Sequence, residues 1–318
     1  MKKVYISILS IFLLGIAFGT VTYAWLEISN VNTIEEMGVT ASLGDDLQVS
    51  LDGETYFNEI TSEMLRELFG RIQLTDVTSQ DGIHFETGGL RRDDKIVVNR
   101  DYLSFPIWFR TDLAQRSIYL VNNTNHLSTY EDPVAGTYVV SRGIAWEAPI
   151  DFTYAPNDEV KAKEVRTYYA SNAIRMAFIE EIDETNPLDD RDESELIRFI
   201  YDPSENEERG FYKQYGALNY YIKRVGSMQS VPIEIPNTSY RLSRIASGPP
   251  MALDNESQVL NLVRTDMINE RGRYFYQGKL TINVWVEGWD ADAFDSIIRD
   301  RVKIQFEFRA LMPAEEQD

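Results

Sequence analysis

Two stretches near the C-terminal end alternate apolar and polar residues without a break, and they constrain the fold more than anything else in the chain. Leu280, Ile282, Val284 and Val286 fall on one side, with Thr281, Asn283, Trp285 and Glu287 between them. Val302, Ile304, Phe306 and Phe308 repeat the pattern against Lys303, Gln305, Glu307 and Arg309. A period of two puts each set on one face of an extended strand, so both read as half-buried antiparallel strands covering a core.

The same period recurs over residues 47–51, ahead of the turn pair Asp52-Gly53, and at Ile174, Met176 and Phe178. It also runs through Leu103, Phe105, Ile107 and Phe109, where Pro106 predicts an edge strand or a bulge. Helical signal is sparse. Thr61-Ser62-Glu63 opens a short amphipathic helix through Met64, Leu65, Leu68 and Phe69, with Gly70 as its stop. Short turns of helix are expected over 291–298 and 193–200. Between Glu180 and Glu208 lie thirteen acids against Arg191 and Arg198, which predicts a solvated acidic insertion around 180–210 with Asp189 or Asp190 as an N-cap. Residues 226–250 read as extended loop. The sum is an all-β chain: a jelly-roll-like antiparallel β-sandwich over 47–318, with a few short helices and long acidic loops.

The N-terminus carries a different message. Lys2 and Lys3 precede an apolar run from Val4 to Val21, followed by Thr22-Tyr23-Ala24. This predicts a signal helix over 1–24, cleaved after Ala24 by signal peptidase, or retained as an anchor, with membrane contact through this segment only. Residues 25–46 then form a linker or donor strand. The formal charge of −20 disfavours nucleic acid and anionic lipid as partners, and loss of the leader removes two lysines and no acid. The chain has no cysteine, so disulfides, iron–sulfur clusters and thiol catalysis are excluded. The localisation expected is secreted, extracellular or cell-surface.

Catalytic chemistry is hard to place. His84 and His126 lie in unrelated segments, and there is neither a His-Glu-x-x-His pair nor a Gly-x-Ser-x-Gly elbow. The expectation is a non-enzyme without cofactors, calcium excepted. A secreted hydrolase would need His84 or His126 beside a carboxylate in a pocket. The segment carrying Glu287, Gly288, Asp290, Asp292 and Asp295 places four carboxylates around a glycine, which suits a calcium ion. It equally suits a capped helical turn at a sandwich corner. The run Asp189-Asp190-Arg191-Asp192-Glu193 lacks a mid-loop glycine and has an arginine inside it. The pairs Tyr168-Tyr169, Tyr220-Tyr221 and Tyr274-Phe275-Tyr276 suit a sugar-stacking platform, cross-strand pairs or a subunit interface.

An export signal ending Thr22-Tyr23-Ala24, then Trp25-Leu26-Glu27-Ile28-Ser29-Asn30, then Leu47-Gln48-Val49-Ser50-Leu51 resembles the SipW-type signal region of the TasA/camelysin family of bacterial extracellular fibre proteins. The spacer is longer than the family's, and Ile28 stands where an aromatic is usual. Residues 278–290 and 173–178 are also similar to secreted Firmicutes proteins with the same signal. The resemblance implies a jelly-roll sandwich that polymerises into filaments of a biofilm matrix, each subunit adding an N-terminal strand to the next subunit's sheet. The donor would lie within residues 25–40 and use Trp25, Leu26, Ile28, Val31 and Ile34; pairing of that segment within its own sheet is the alternative. The metallopeptidase activity ascribed to camelysin-like members finds no zinc-ligand set in this sequence. The function this implies is a non-enzymatic structural or adhesive subunit. A carbohydrate- or calcium-binding wall module is the alternative.

Overall fold

The computed structural model describes residues 32–41, 47–89, 95–122, 127–226, 234–248 and 250–314. The signal segment, Trp25, Leu26, Ile28, Val31 and His126 lie outside them.

The described chain begins with β1 (Asn32–Ala41), β2 (Gln48–Ser50) and β3 (Glu59–Ile60), then helix α1 (Ser62–Phe69). There follow β4 (Gln73–Leu74), β5 (Asp76–Ser79), β6 (Phe85–Thr87), β7 (Leu103–Thr111), β8 (Ser117–Leu120) and β9 (Tyr138–Ser141). Next come β10 (Ile144–Glu147), β11 (Phe152–Ala155), β12 (Asp158–Val160) and β13 (Val165–Tyr168), in two small sheets that pair β10 with β13 and β11 with β12. The rest is β14 (Ile174–Glu181), β15 (Arg198–Tyr201), helix α2 (Ala217–Val225), β16 (Thr238–Ser239), β17 (Gln258–Asn261), β18 (Val263–Ile268), β19 (Tyr274–Glu287) and β20 (Arg301–Leu311).

The result is an all-β sandwich. One sheet runs β17-β8-β20-β1-β3, with β9 also on β20 and β4 also on β1; the other runs β16-β15-β14-β19-β5-β6, with β7 and β18 also on β19 and β2 on β7. The alternation in β19 and β20 does what its period requires. Leu280, Ile282, Val284 and Val286 face Val302, Ile304, Phe306 and Phe308 across one core. Aromatic rings bridge the sheets edge to face: Phe109 meets Phe308 at 4.8 Å between centroids, and Phe178 meets Phe306 at 6.1 Å. Pairing is mostly antiparallel, but β1 runs parallel to β20, β5 to β19 and β15 to β16. Pro106 sits on β7 where β2, which pairs only residues 108–110, leaves the outer side open. Thr61 caps α1 by accepting from the Met64 N–H, and Gly70 ends the helix at φ 66°.

The outer face of β19 is not solvated as the alternation suggests. Asn283, Trp285 and Glu287 are buried with Val77, Ala177 and Ile200, because the β5–β6 hairpin folds over them. Gly82 at its tip has φ +73°, and a Cβ there would collide with that of Ala177; its carbonyl accepts from Asn283 Nδ2 at 2.7 Å.

The acidic stretch 180–210 is solvated only in part: Glu184, Asp190, Asp192, Glu193, Glu195, Glu205, Glu207 and Glu208 are exposed. It contributes β15 to the second sheet, and Glu180, Asp183, Asp189 and Asp202 are all buried. Over 193–200 only Glu193–Glu195 turns as a 3-10 helix, and its cap is Asp192, in a capping box with Glu195. Asp189 is unavailable for that role, since its carboxylate accepts from the Asp183 N–H and pairs with Arg191. Over 291–298, helix is limited to the 3-10 turn Asp295–Ile297.

Candidate functional site

The acidic corner after β19 gathers several buried ionisable groups, and it is built from a backbone crossing. Gly288 donates its N–H to the Val77 carbonyl at 2.8 Å and lies so close to Gly88 that a Cβ would sit 2.6 Å from the Gly88 backbone. The chain then reverses, and the four carboxylates take separate partners. Glu287 turns back to accept from Trp285 Nε1 at 3.0 Å and from the Trp289 N–H at 3.1 Å. Asp290 pairs with Arg175 of β14, whose guanidinium also reaches Asp202 at 2.8 Å; all three side chains are at most 2% exposed.

Asp292 takes Arg209 in a forked contact, at 2.9 Å to Nε and 2.6 Å to a terminal nitrogen, and accepts from the Tyr154 hydroxyl at 3.0 Å. The Arg209 guanidinium lies 3.7 Å over the Tyr154 ring. Asp295 accepts from Tyr220 at 2.9 Å and pairs with Arg224 on α2. Among the described residues no three acidic or histidine side chains converge as a metal site. Glu287, Asp290, Asp292 and Asp295, the four carboxylates expected to suit calcium, each have partners within this chain. Arginines from β14, α2 and the 207–209 turn meet the three aspartates instead, and Glu287 is held by Trp285 and the Trp289 amide.

Electrostatics follow from the geometry. Burial pushes the carboxyl of Asp290 well above its ordinary range, opposed by the Arg175 charge. Burial raises Asp202 and Glu287 in the same way. A second buried pair sits at the other end of β14. Glu180 accepts from the amides of Ile197 at 2.7 Å and Asn261 at 2.8 Å and pairs with Arg191, which also clasps Asp189.

His84 does stand beside a carboxylate, with Nδ1 2.6 Å from Asp81 Oδ2, on a cavity of about 280 Å3 shared with Thr78, Ser79, Gln80 and Glu86. Its side chain is 85% exposed, and the neighbouring Ser79 hydroxyl donates to the His84 carbonyl at 2.7 Å, not to the imidazole. Asp81 accepts the amides of Ile83 and His84, which makes the group a turn that closes the β5–β6 hairpin.

Ile34, assigned above to the assembly strand, is a core residue of β1. It is 7% exposed, in register with Val302, and donates its N–H to the Ile72 carbonyl. The tyrosine pairs separate: Tyr168, Tyr220 and Tyr221 enter the core, while Tyr169 and Tyr274 stay exposed. Sequence reasoning missed Arg175 and Arg209, whose acidic partners lie far along the chain, and Trp146, three of whose four ring contacts come from residues 168, 220 and 294; only the polar intrusion of Arg175 among Ile174 and Met176 hinted at one of them. No protein-family model, curated protein or solved structure matches the chain.

Proposed function

We propose that this chain is an exported, non-enzymatic structural or adhesive subunit of the bacterial cell surface or extracellular matrix. The observation that carries the reading is the use of the acidic corner. Its aspartates pair with arginines of the same chain, and the pairs tie β14, α2 and the 207–209 turn to the segment that follows β19. Acidic groups spent on cross-links within the fold suit a structural subunit. A leader headed by Lys2 and Lys3, the absence of cysteine and the resemblance of residues 22–30 to the fibre-protein signal region agree with export.

Self-association is assigned to residues 25–31, immediately ahead of β1, acting as a strand offered to a second copy. Residues 32–41 are excluded from that role because they are already paired with β20, β3 and β4. The test is electron microscopy of the mature protein beside a variant lacking residues 25–30. Filaments are expected from the first and none from the second, with the same thermal unfolding. Filaments that survive the deletion, or a mature protein that stays monomeric at every concentration, would overturn the proposal.

A further inference from the structure

The geometry points to a saccharide-binding pocket on the flank of the sandwich, between β10 and the turn that follows the acidic corner. A cavity of about 430 Å3 is lined by Ile144, Trp146, Arg224, Asp295, Ile298 and Arg299. That volume lies within the roughly 300–1,000 Å3 of small-molecule sites.

The chemistry of the lining is divided. Trp146, Ile144 and Ile298 supply the apolar part. The indole is held by edge-to-face contacts with Tyr220 and Phe294 at 5.6 Å each, with Tyr168 at 5.8 Å and with Phe152 at 6.2 Å. A half-buried indole fixed by four rings is a preorganised platform, and no rotamer freedom is lost when a ligand lands on it. The polar part is the Asp295–Arg224 pair, half-buried and tied from behind by Tyr220, which donates to Asp295 at 2.9 Å and accepts from Arg224 at 3.0 Å.

A carboxylate that only accepts, beside a guanidinium that only donates, can satisfy two adjacent hydroxyls at once. An aromatic face meeting C–H groups, with a donor and an acceptor at its edge, is complementary to a pyranose ring. Its axial hydrogens make one face apolar, and its vicinal hydroxyls lie at the rim. A flat aromatic ligand would use the indole and leave the polar rim, the free lone pairs of Asp295 and the free N–H groups of Arg224, without a partner. A simple anion would meet Asp295 at close range and leave the indole unused. The lining residues named here belong to other parts of the sequence than 25–31, so glycan binding and filament formation are tested by different variants.

The test is a glycan array displaying hexoses, N-acetylhexosamines and uronic acids as mono- to tetrasaccharides, probed with the mature protein. Any hit is then titrated by isothermal calorimetry, a readout that does not depend on Trp146. At least one glycan is expected to bind. Trp146→Phe, which keeps the aromatic packing, and Asp295→Asn should each weaken it about tenfold or more, the scale of one lost charge-assisted hydrogen bond or stacking contact. Arg224→Gln, at the half-exposed last turn of α2, gives a third reading where either of the others unfolds. An array with no glycan above background, or a glycan bound equally by wild type and the folded variants, would overturn the assignment.

Discussion

Arg175 is the residue on which the interior charge balance turns. It is fully enclosed, and it faces Asp290 and Asp202 with Glu287 close by. Its replacement by methionine would leave those carboxyls buried without a cation, which costs about 3–5 kcal/mol in comparable pairs. Chemical denaturation of Arg175→Met should show a loss of that size. The same residues set a pH dependence. Burial raises Asp290, Asp202 and Glu287, so the folded state binds their protons more tightly than the unfolded chain does. Their contribution to stability is full below an ordinary carboxyl pKa of about 4 and drains as the pH rises through the raised values.

Asp52 and Asp81 run the other way, each held at about 2. For Asp52 the Thr55 amide leads the causes; for Asp81 the bonds from His84 and Ile83 outweigh the upward push of burial. Their contribution is present above about 4 and is lost only as the pH falls toward 2. The thermal midpoint, followed by circular dichroism from pH 5 to pH 8, should therefore fall as the pH rises, and fall more steeply in Arg175→Met. A midpoint that climbs over that range would contradict this account.

At the scale of elements, the sandwich protects its edges in ways that composition hides. The outer side of β1 meets only two-residue strands at its ends. Between them α1 fills the gap: Ser62 accepts from the Met37 N–H, and Arg66 donates to the Glu35 carbonyl. At the opposite edge, β17 gives its Asn261 N–H to Glu180 and a carbonyl to Arg191, so a buried ion pair of one sheet closes the border of the other. Glu180→Ala should speed hydrogen exchange at the Asn261 and Ile197 amides well before the rest of the sheet opens. Wild-type protection at both amides would show that the seal lies elsewhere.

These elements also divide what could be read in advance. Strands β7, β14, β19 and β20 were legible because one face of each packs on the core and the period survives in the side chains. The capped start and glycine stop of α1 were legible for local reasons as well. The four buried carboxylates of the stretch 180–210 were not. A buried carboxylate and a solvated one look alike until its arginine is found, and Glu180 and Arg191 meet only after the chain has folded back. The corner at 287–295 was visible as chemistry but not as geometry, since its partners come from residues 175, 209 and 224.

For the whole molecule, the decisive arrangement is β1 lying between β20 on one side and β3 and β4 on the other, with Ile34, Met37 and Val39 in the common core. A deletion of residues 25–36 therefore does not probe the segment ahead of the fold. It removes half of a central strand and should abolish the cooperative thermal transition, whereas deletion of 25–30 removes none of the pairing of β1 and should leave the midpoint within about 2 °C of wild type. Calorimetry of the two truncations separates a leader-proximal tail from a structural strand, and equal loss in both would mean that the fold begins earlier than Asn32.

The parallel pairing of β1 with β20 sets a timetable. The strand synthesised first among the described residues is the neighbour of the strand synthesised last, with Thr33 opposite Arg301 and Ala41 opposite Phe308. The loop between them spans most of the chain, and its closure entropy falls due before any contact between the two returns it. Until residues 301–308 arrive, β1 has an open hydrogen-bonding side. The sheet around β1 is thus completed by β20, and a copy lacking residues 301–311 would expose that side of β1 to proteolysis.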